Sequence, residues 1–431
     1  MNKIDRVEII GFWGNRELEI NFFDDVNFFI GVNGSGKTTV INMIAAALSA
    51  DFTALDRLPF QKLRIELSEV GGRKKPNIEV EKVDSEDSPY SSIIYRIKEK
   101  ASDKYKEYSL DELEEETLIR RRMSPRQYQA YMRHRMSQRT NRGILARLES
   151  LINVSWLSIH RTSLSNFSPE EESYESSVDQ KLEELSNSLG KYFSVLSSKV
   201  SDEIAEFQRN IISSLLTEQT ESAVFSLVKS FDLDEEKEAL NDIFKKLKIG
   251  GRTAETKINK HFSEVRKARN KLELNEGLDL NDLMTLVNSY RSHRVVENWN
   301  DLLKKQAEIL QPKATLVEVL NGLFQRKKIF INDRNEIEAT TDSGKKLSIR
   351  GLSSGEKQLI IILGEALLQR GSPWIYIADE PELSLHVRWQ EKLIENLRRV
   401  NPQAQIVCAT HSPDVVSSFS NNVFDMEMMI K

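Results

Sequence analysis

The sequence predicts an α/β fold in which a strand-rich N-terminal lobe and a strand-rich C-terminal lobe flank an α-helical insertion. Three observations predict it. A glycine-rich stretch, GVNGSGKTT at 31–39, sits between an apolar run and a helical pattern. Between about 165 and 325 the chain is rich in Glu, Lys, Leu and Ser, with helical periodicity and almost no strand signal. From 328 short strand patterns return and then alternate with helical ones. The expected divisions are 1–162, 163–325 and 326–431.

The elements follow in order. RVEIIGF and ELEINFF carry strand-like apolar runs, and VNFFI reads as a short buried strand feeding the glycine-rich stretch. VINMIAAALSA continues as a helix. FQKLRIEL, NIEVEKV and SSIIYRIKE alternate between turn signals as an antiparallel meander would, and VSWLSIHR at 154–161 reads as a buried strand returning to the core. In the insertion, Val178, Leu182, Leu185, Leu189, Tyr192 and Leu196 form an amphipathic stripe, the mark of helix-packing core or a short coiled coil. KIGG at 248–251 and the Asn275-Glu-Gly turn break the helices. KIFIND, NEIEA and KKLSIRG then lead into GLSSGEKQ at 351–358.

Composition bounds the rest. At 431 residues the chain is too long for one ordinary core. With 39% hydrophobic and 29% charged residues it belongs with globular proteins, not disordered ones. A net charge of −5 argues neither for nor against nucleic acid. The single cysteine, Cys408, excludes a disulfide framework or a cysteine-based zinc site and fits a reducing compartment. No stretch approaches the ~18 apolar residues of a membrane span, and the N-terminus lacks a signal-peptide core, so a cytoplasmic location without membrane contact is expected.

GVNGSGKT fits the phosphate-loop pattern G-x-x-x-x-G-K-[ST] in its confirming context, strand before and helix after. Gly31, Gly34 and Gly36 allow a tight wrap that, with Asn33, Ser35 and Thr39, aims backbone N–H groups at phosphate oxygens. Lys37 supplies a positive charge to the β- and γ-phosphates, and the Thr38 hydroxyl is placed for Mg²⁺. WIYIADEPE at 374–382 is an apolar strand ending in two carboxylates. Asp379 suits the metal shell and Glu380 the polarisation of an attacking water, although adjacent carboxylates at a strand end are often a solvated turn. QIVCATHS at 405–412 delivers His411 from a further apolar strand, either as a structural histidine or near the γ-phosphate.

GVNGSGKTT, LSSGEKQ, DEPE and ATHS, in this order, resemble the Walker A, signature, Walker B and switch-histidine motifs of ABC-type ATPases. The resemblance implies ATP and Mg²⁺ as ligands, hydrolysis through Glu380 and His411, and metal held through Thr38 and Asp379. It also implies composite sites: Ser353, Ser354, Gly355 and Glu356 would close over ATP held by a second copy, so a dimer or higher homo-oligomer is expected. The long insertion ahead of the signature is similar to the split heads of the SMC, RecF and OLD ATPases. DEPELSLHVRWQEKLI looks especially like OLD-type and related anti-phage ATPases, and the layout resembles the stand-alone ATPase subunits of two-gene defence systems, PARIS nearest and Septu second. That implies a separately encoded effector, such as a nuclease. No nuclease pattern is seen in the chain itself. The alternative is a RecF-like DNA-binding ATPase in repair.

Four further features carry two readings each. Gln61 is either a metal-sensing glutamine or an exposed strand-edge residue. His386 either lines an intersubunit contact or starts a helix. Trp13 either stacks on adenine or is a buried aromatic in a strand turn. Arg120–Arg147 holds nine arginines, no lysine and no acid, with Tyr128, Tyr131 and His134 interleaved. It suits DNA or an acidic phage trigger protein, or it is an exposed helix pairing with the acidic run Asp111–Glu116.

Overall fold

The computed structural model describes residues 1–83, 92–100, 102–109, 143–157, 177–214, 230, 232–274 and 276–430. Strands β1 (Asn2–Phe12), β2 (Arg16–Asn21), β4 (Lys62–Glu69), β5 (Asn77–Val83), β6 (Ser92–Lys98) and β7 (Lys106–Ser109) form an antiparallel sheet in the order β2-β1-β4-β5-β6-β7. Alternation decides its faces. KLRIELSE turns Leu63, Ile65 and Leu67 to the core, and on the other face Arg64 and Lys62 reach Glu79 at 2.7 and 3.2 Å.

A second sheet is wholly parallel. Its strands are β3 (Val26–Ile30), β8 (Val154–Leu157), β12 (Ile375–Asp379), β13 (Gln405–Ala409) and β14 (Val423–Asp425), in the order β14-β3-β13-β12-β8. Its central strands are continuous apolar runs because both faces are covered. Helix α1 (Lys37–Ser49) packs on β8, β12 and β13. This sheet interleaves the two ends of the chain, so the lobes read separately in the sequence build one core.

Two buried amides satisfy backbone groups where the sheets meet, and Gln405 bridges them. Gln405 Oε1 accepts the Ile4 N–H, and its Nε2 donates to the Ile4 and Phe23 carbonyls, each at 2.8 Å. Pairing of β1 with β2 begins only at Arg6, and the Ile4 backbone groups are met by Gln405 instead. Asn27 accepts from the Phe23 N–H at 2.8 Å and donates to its carbonyl at 3.0 Å. Buried backbone groups left unpaired would cost the fold their desolvation.

The remaining helices are α2 (Phe52–Arg57), α3 (Gly143–Leu151), α4 (Ser177–Ser214), α5 (Leu233–Lys246), α6 (Gly251–Glu273), α7 (Leu280–Leu323), α8 (Ser354–Leu368), α9 (Val387–Val400), α10 (Pro413–Val416) and α11 (Met426–Met429). A small sheet, β11-β10-β9, formed by β9 (Lys327–Ile331), β10 (Ile337–Thr341) and β11 (Lys346–Leu347), precedes α8. The chain divides into two compact units, Met1–Gly190 with Thr315–Lys431, and Lys191–Ala314. The divisions fall inside α4 and α7, in the latter just past Pro312. In the first unit the start of the leucine stripe is core: a Cβ at Gly364 of α8 would lie 2.8 Å from Leu185 and 3.1 Å from Leu189. The second unit has its own core, including Phe207, Ile243, Phe262, Val265 and Trp299. Among the described residues no helix is long and apolar enough to cross a membrane. The arginine-rich segment lies outside the described residues up to 142, as does the acidic run before it; Arg147, on α3, is ion-paired with Glu99.

Candidate functional site

Three neighbouring parallel strands, β3, β13 and β12, end together, and their C-terminal ends are where an open α/β sheet offers a ligand crevice. β3 runs into the glycine-rich loop. Gly36, the N-cap of α1, has φ +97° and gives no side-chain cap; a Cβ there would stand 2.9 Å from Phe12 and 3.1 Å from Trp13. The first intrahelical bond is Val40 N–H to the Gly36 carbonyl, which leaves the N–H groups of Lys37, Thr38 and Thr39 without an intrahelical acceptor. Ser35 Oγ is buried with no hydrogen-bond partner. Asn33 and Gly34 are exposed on the loop. An uncapped helix start with an orphaned hydroxyl beside it could cradle a polyphosphate.

Lys37 is only 5% exposed, and its ammonium donates to the Gly31 and Val32 carbonyls at 2.8 and 3.1 Å. Burial lowers its pKa against the upward pull of Glu380, Asp379 and Glu427. Thr38 Oγ1 donates to Asp379 Oδ1 at 3.0 Å, tying the loop after β3 to the end of β12. This hydroxyl–carboxylate pair could hold a divalent cation of the Mg²⁺ kind, whose usual ligands are oxygens. Glu380 turns off the strand with φ +49°, its N–H bonded to the Ala409 carbonyl at 2.9 Å. Its carboxylate stands 3.7 Å from His411 Nε2, and both side chains are partly open.

The second glycine/serine stretch is built differently. Ser353 caps α8 in a complete capping box. Its Oγ accepts the Glu356 N–H, and Glu356 Oε2 accepts the Ser353 N–H at 2.8 Å. Glu356 is 6% exposed and ion-paired with Lys327 at 2.7 Å. Burial alone would raise its pKa; Lys327 and the Ser353 N–H hold it below the usual carboxylate value. The Glu356 carboxylate is thus engaged within its own chain. Ser353 and Ser354 are exposed, Gly355 is buried, and a Cβ on Gly355 would come 2.6 Å from the Ser384 carbonyl.

Gln61 does not join the site. It is exposed, and its described contacts run to Gly11, Ile10 and Lys82, not to Thr38 or Asp379. Its backbone N–H donates to the Ile10 carbonyl at 2.9 Å, and its side chain lies over Gly11. His386 is the N-cap of α9, accepting the Arg388 N–H at 3.3 Å. Trp13 is not buried. It has φ +50°, is 40% exposed and stacks on Phe12 at 4.5 Å, beside Gly36. Sequence reasoning missed Glu427, whose carboxylate accepts the Val32 N–H at 3.0 Å, and Glu382, which is bonded to the end of β13. The acid beyond the proline in DEPE was a signal for the second; nothing local marks the first.

A family model described as an AAA ATPase domain matches residues 2–416. The chain belongs to this family. Proteins similar to it include the retron Vc95 probable ATPase of Vibrio cholerae serotype O1 biovar El Tor, 26% identical over 136 residues, which are 29% of this chain and 26% of that protein. The Septu protein PtuA of Bacillus thuringiensis is 23% identical over 185 residues, 37% of this chain and 45% of that one. The DNA double-strand break repair Rad50 ATPase of Sulfurisphaera tokodaii is 31% identical over 127 residues, 27% of this chain and 14% of that one. The chain thus spans less than half the length of each of these relatives. Among solved structures, the Smc head domain with an extended coiled coil from Pyrococcus furiosus aligns over 96% of this chain and 91% of its own, at 14% identity and a TM-score of 0.36. The family match makes the chain an ATPase-domain protein, and its described fold is an α/β head with a helical insertion.

Proposed function

We propose that the chain binds Mg·ATP in this cradle and hydrolyses it slowly, as the regulatory ATPase of an anti-phage defence system. The observation that carries the chemistry is the convergence of Lys37, the Thr38–Asp379 bond, Glu380 and His411 at the ends of three adjacent strands. The free N–H groups of the loop and Lys37 hold the β- and γ-phosphates. Mg²⁺, held through Thr38 and Asp379, would offset charge on the phosphate oxygens. Glu380 orients and polarises the water that attacks the γ-phosphorus, His411 senses the γ-phosphate, and Trp13 offers its exposed face to adenine.

The site is completed by a second copy. Ser353 and Ser354 are exposed beside the exposed Leu383, Ser384 and Val387, a small surface suited to meeting a partner's nucleotide. ATP would therefore close two heads and hydrolysis reopen them, changing the state of a separately encoded effector. Similarity to proteins named for the Septu and retron systems supports the defence role. Arg120–Arg147 is the segment proposed to meet an acidic phage trigger or DNA.

Native mass spectrometry of the protein expressed with its flanking genes tests this. Glu380→Gln with Mg·ATP should trap a closed dimer or larger assembly carrying a neighbour-encoded protein, and Lys37→Ala should not form it. Identical mass distributions for the two variants would refute composite sites. The similarity to Rad50 favours a second reading, a DNA-binding ATPase in repair. That reading expects a bare dimer or one carrying nucleic acid, with ATPase stimulated by DNA and binding that falls steeply with salt.

A further inference from the structure

Glu382 follows Glu380 by two residues and is 7% exposed. Its Oε1 accepts two hydrogen bonds from the end of β13, from Thr410 Oγ1 at 2.5 Å and from the His411 N–H at 3.1 Å. Its other oxygen is buried with no hydrogen-bond partner, and no cation among the described residues pairs with it. A buried carboxylate in this condition is unfavourable for the fold, so stability alone does not account for it.

The two segments it links are those that carry Glu380 and His411. Glu380 leaves β12 in a left-handed conformation and Ser384 repeats it at φ +70°, so the 380–384 turn is strained at both ends and needs an outside anchor. The anchor is the β13 end. Gln390 adds a second stitch, accepting from Ser412 Oγ at 2.7 Å while donating to the Leu385 carbonyl at 2.9 Å. The same turn also meets the capped helix, through Gln358 Nε2 to the Pro381 carbonyl at 2.8 Å.

We propose that Glu382 is a positioning residue for hydrolysis. Its carboxylate fixes the backbone of His411 relative to Glu380, so that the imidazole and the water-polarising carboxylate face the same point. The inference rests on the assignment of Glu380 and His411 above.

The test compares Glu382→Leu and Glu382→Gln by steady-state ATPase kinetics, thermal melting and amide exchange of the peptide spanning 410–412. Glu382→Leu should lower kcat about 10- to 100-fold, the scale of a misplaced reacting group. It should leave KM for ATP nearly unchanged, keep or raise Tm, and speed exchange of the His411 amide. Glu382→Gln keeps an acceptor oxygen and should recover kcat to within about fivefold of the parent, the scale of one weakened hydrogen bond. Thr410→Val removes one donor while preserving shape, and should give an intermediate loss even where the leucine variant folds poorly. Wild-type kcat in Glu382→Leu, or equal loss in both Glu382 variants, would overturn the proposal. So would a kcat loss matched by a fall in Tm. Glu380→Gln measured alongside separates the failures. If it hydrolyses ATP at the parental rate, the site assignment itself is wrong; if it is inactive while Glu382→Leu is unimpaired, only the role of Glu382 falls.

Discussion

Two helices of the same unit begin in glycine- and serine-bearing loops of similar sequence texture, yet they treat the anion problem in opposite ways. Helix α1 starts at Gly36 with a left-handed cap, no side-chain acceptor and an orphaned Ser35 hydroxyl beside it. Helix α8 starts at Ser353 with a capping box closed by the Ser353 hydroxyl and the Glu356 carboxylate, whose charge Lys327 answers. The first start leaves its dipole and N–H groups for something from outside. The second carries its own carboxylate. A glycine-rich helix start is therefore fully open to an outside anion only where the chain supplies none of its own. At α8 only the N–H groups of Ser354 and Gly355 lie outside the box, so any contact with a second copy's phosphate falls on these and on the serine hydroxyls.

The comparison can be broken most severely at Glu356. Glu356→Ala leaves Lys327 unpaired and takes away the acceptor of the Ser353 N–H, and should lower unfolding free energy by about 3 kcal/mol in denaturant titrations. The pH dependence fixes the sign. The folded-state pKa of Glu356 is depressed, so its contribution is fully present above the unfolded carboxylate value of roughly 4.3 and is lost as pH falls through the lower folded value. The stability gap between the parent and Glu356→Gln should be full at neutral pH and close on acidification; a gap that widens would contradict it.

At the open start, Gly36→Ala forces a Cβ against Phe12 at a φ that favours glycine. ATP affinity, measured by calorimetry, should drop by about 2 kcal/mol, the scale of the left-handed penalty on a loop that must hold its shape. Trp13→Ala should weaken ATP binding by about 1–2 kcal/mol while leaving kcat at saturation near the parental value, since stacking on a base is uniform binding. Unchanged affinity would remove Trp13 from the nucleotide site. The smallest effect is expected for Ser353→Ala, about 1 kcal/mol of stability from the lost cap. If its loss of ATPase activity far exceeds that, and grows with protein concentration held low, the hydroxyl is acting on a second copy's nucleotide as well as on its own helix.

Much of the candidate site was legible because its parts are local. GVNGSGKTT carries its glycine spacing, its lysine and its hydroxyls within nine consecutive positions, and strand-before, helix-after is a nearest-neighbour pattern. DEPE and ATHS are likewise apolar strands ending in polar residues. Where Gln61 lies was not legible, because a glutamine just before a strand says nothing of which neighbour it will meet; its side chain lies over Gly11. The ion pair of Glu356 was not legible either, because its partner Lys327, on β9, lies 29 residues away in the sequence.

The sequence by itself determined the phosphate loop, the two carboxylates, the histidine and the helical insertion, since each depends on residue type and short-range period. Tertiary structure alone decided three things. It placed β13 between β3 and β12, which brings His411 to Glu380. It spent Glu356 on Lys327, and it aimed Glu382 at the end of β13. These depend on contacts between segments tens to hundreds of residues apart, where the cost of burying a charge or an amide, and not local propensity, selects the partner.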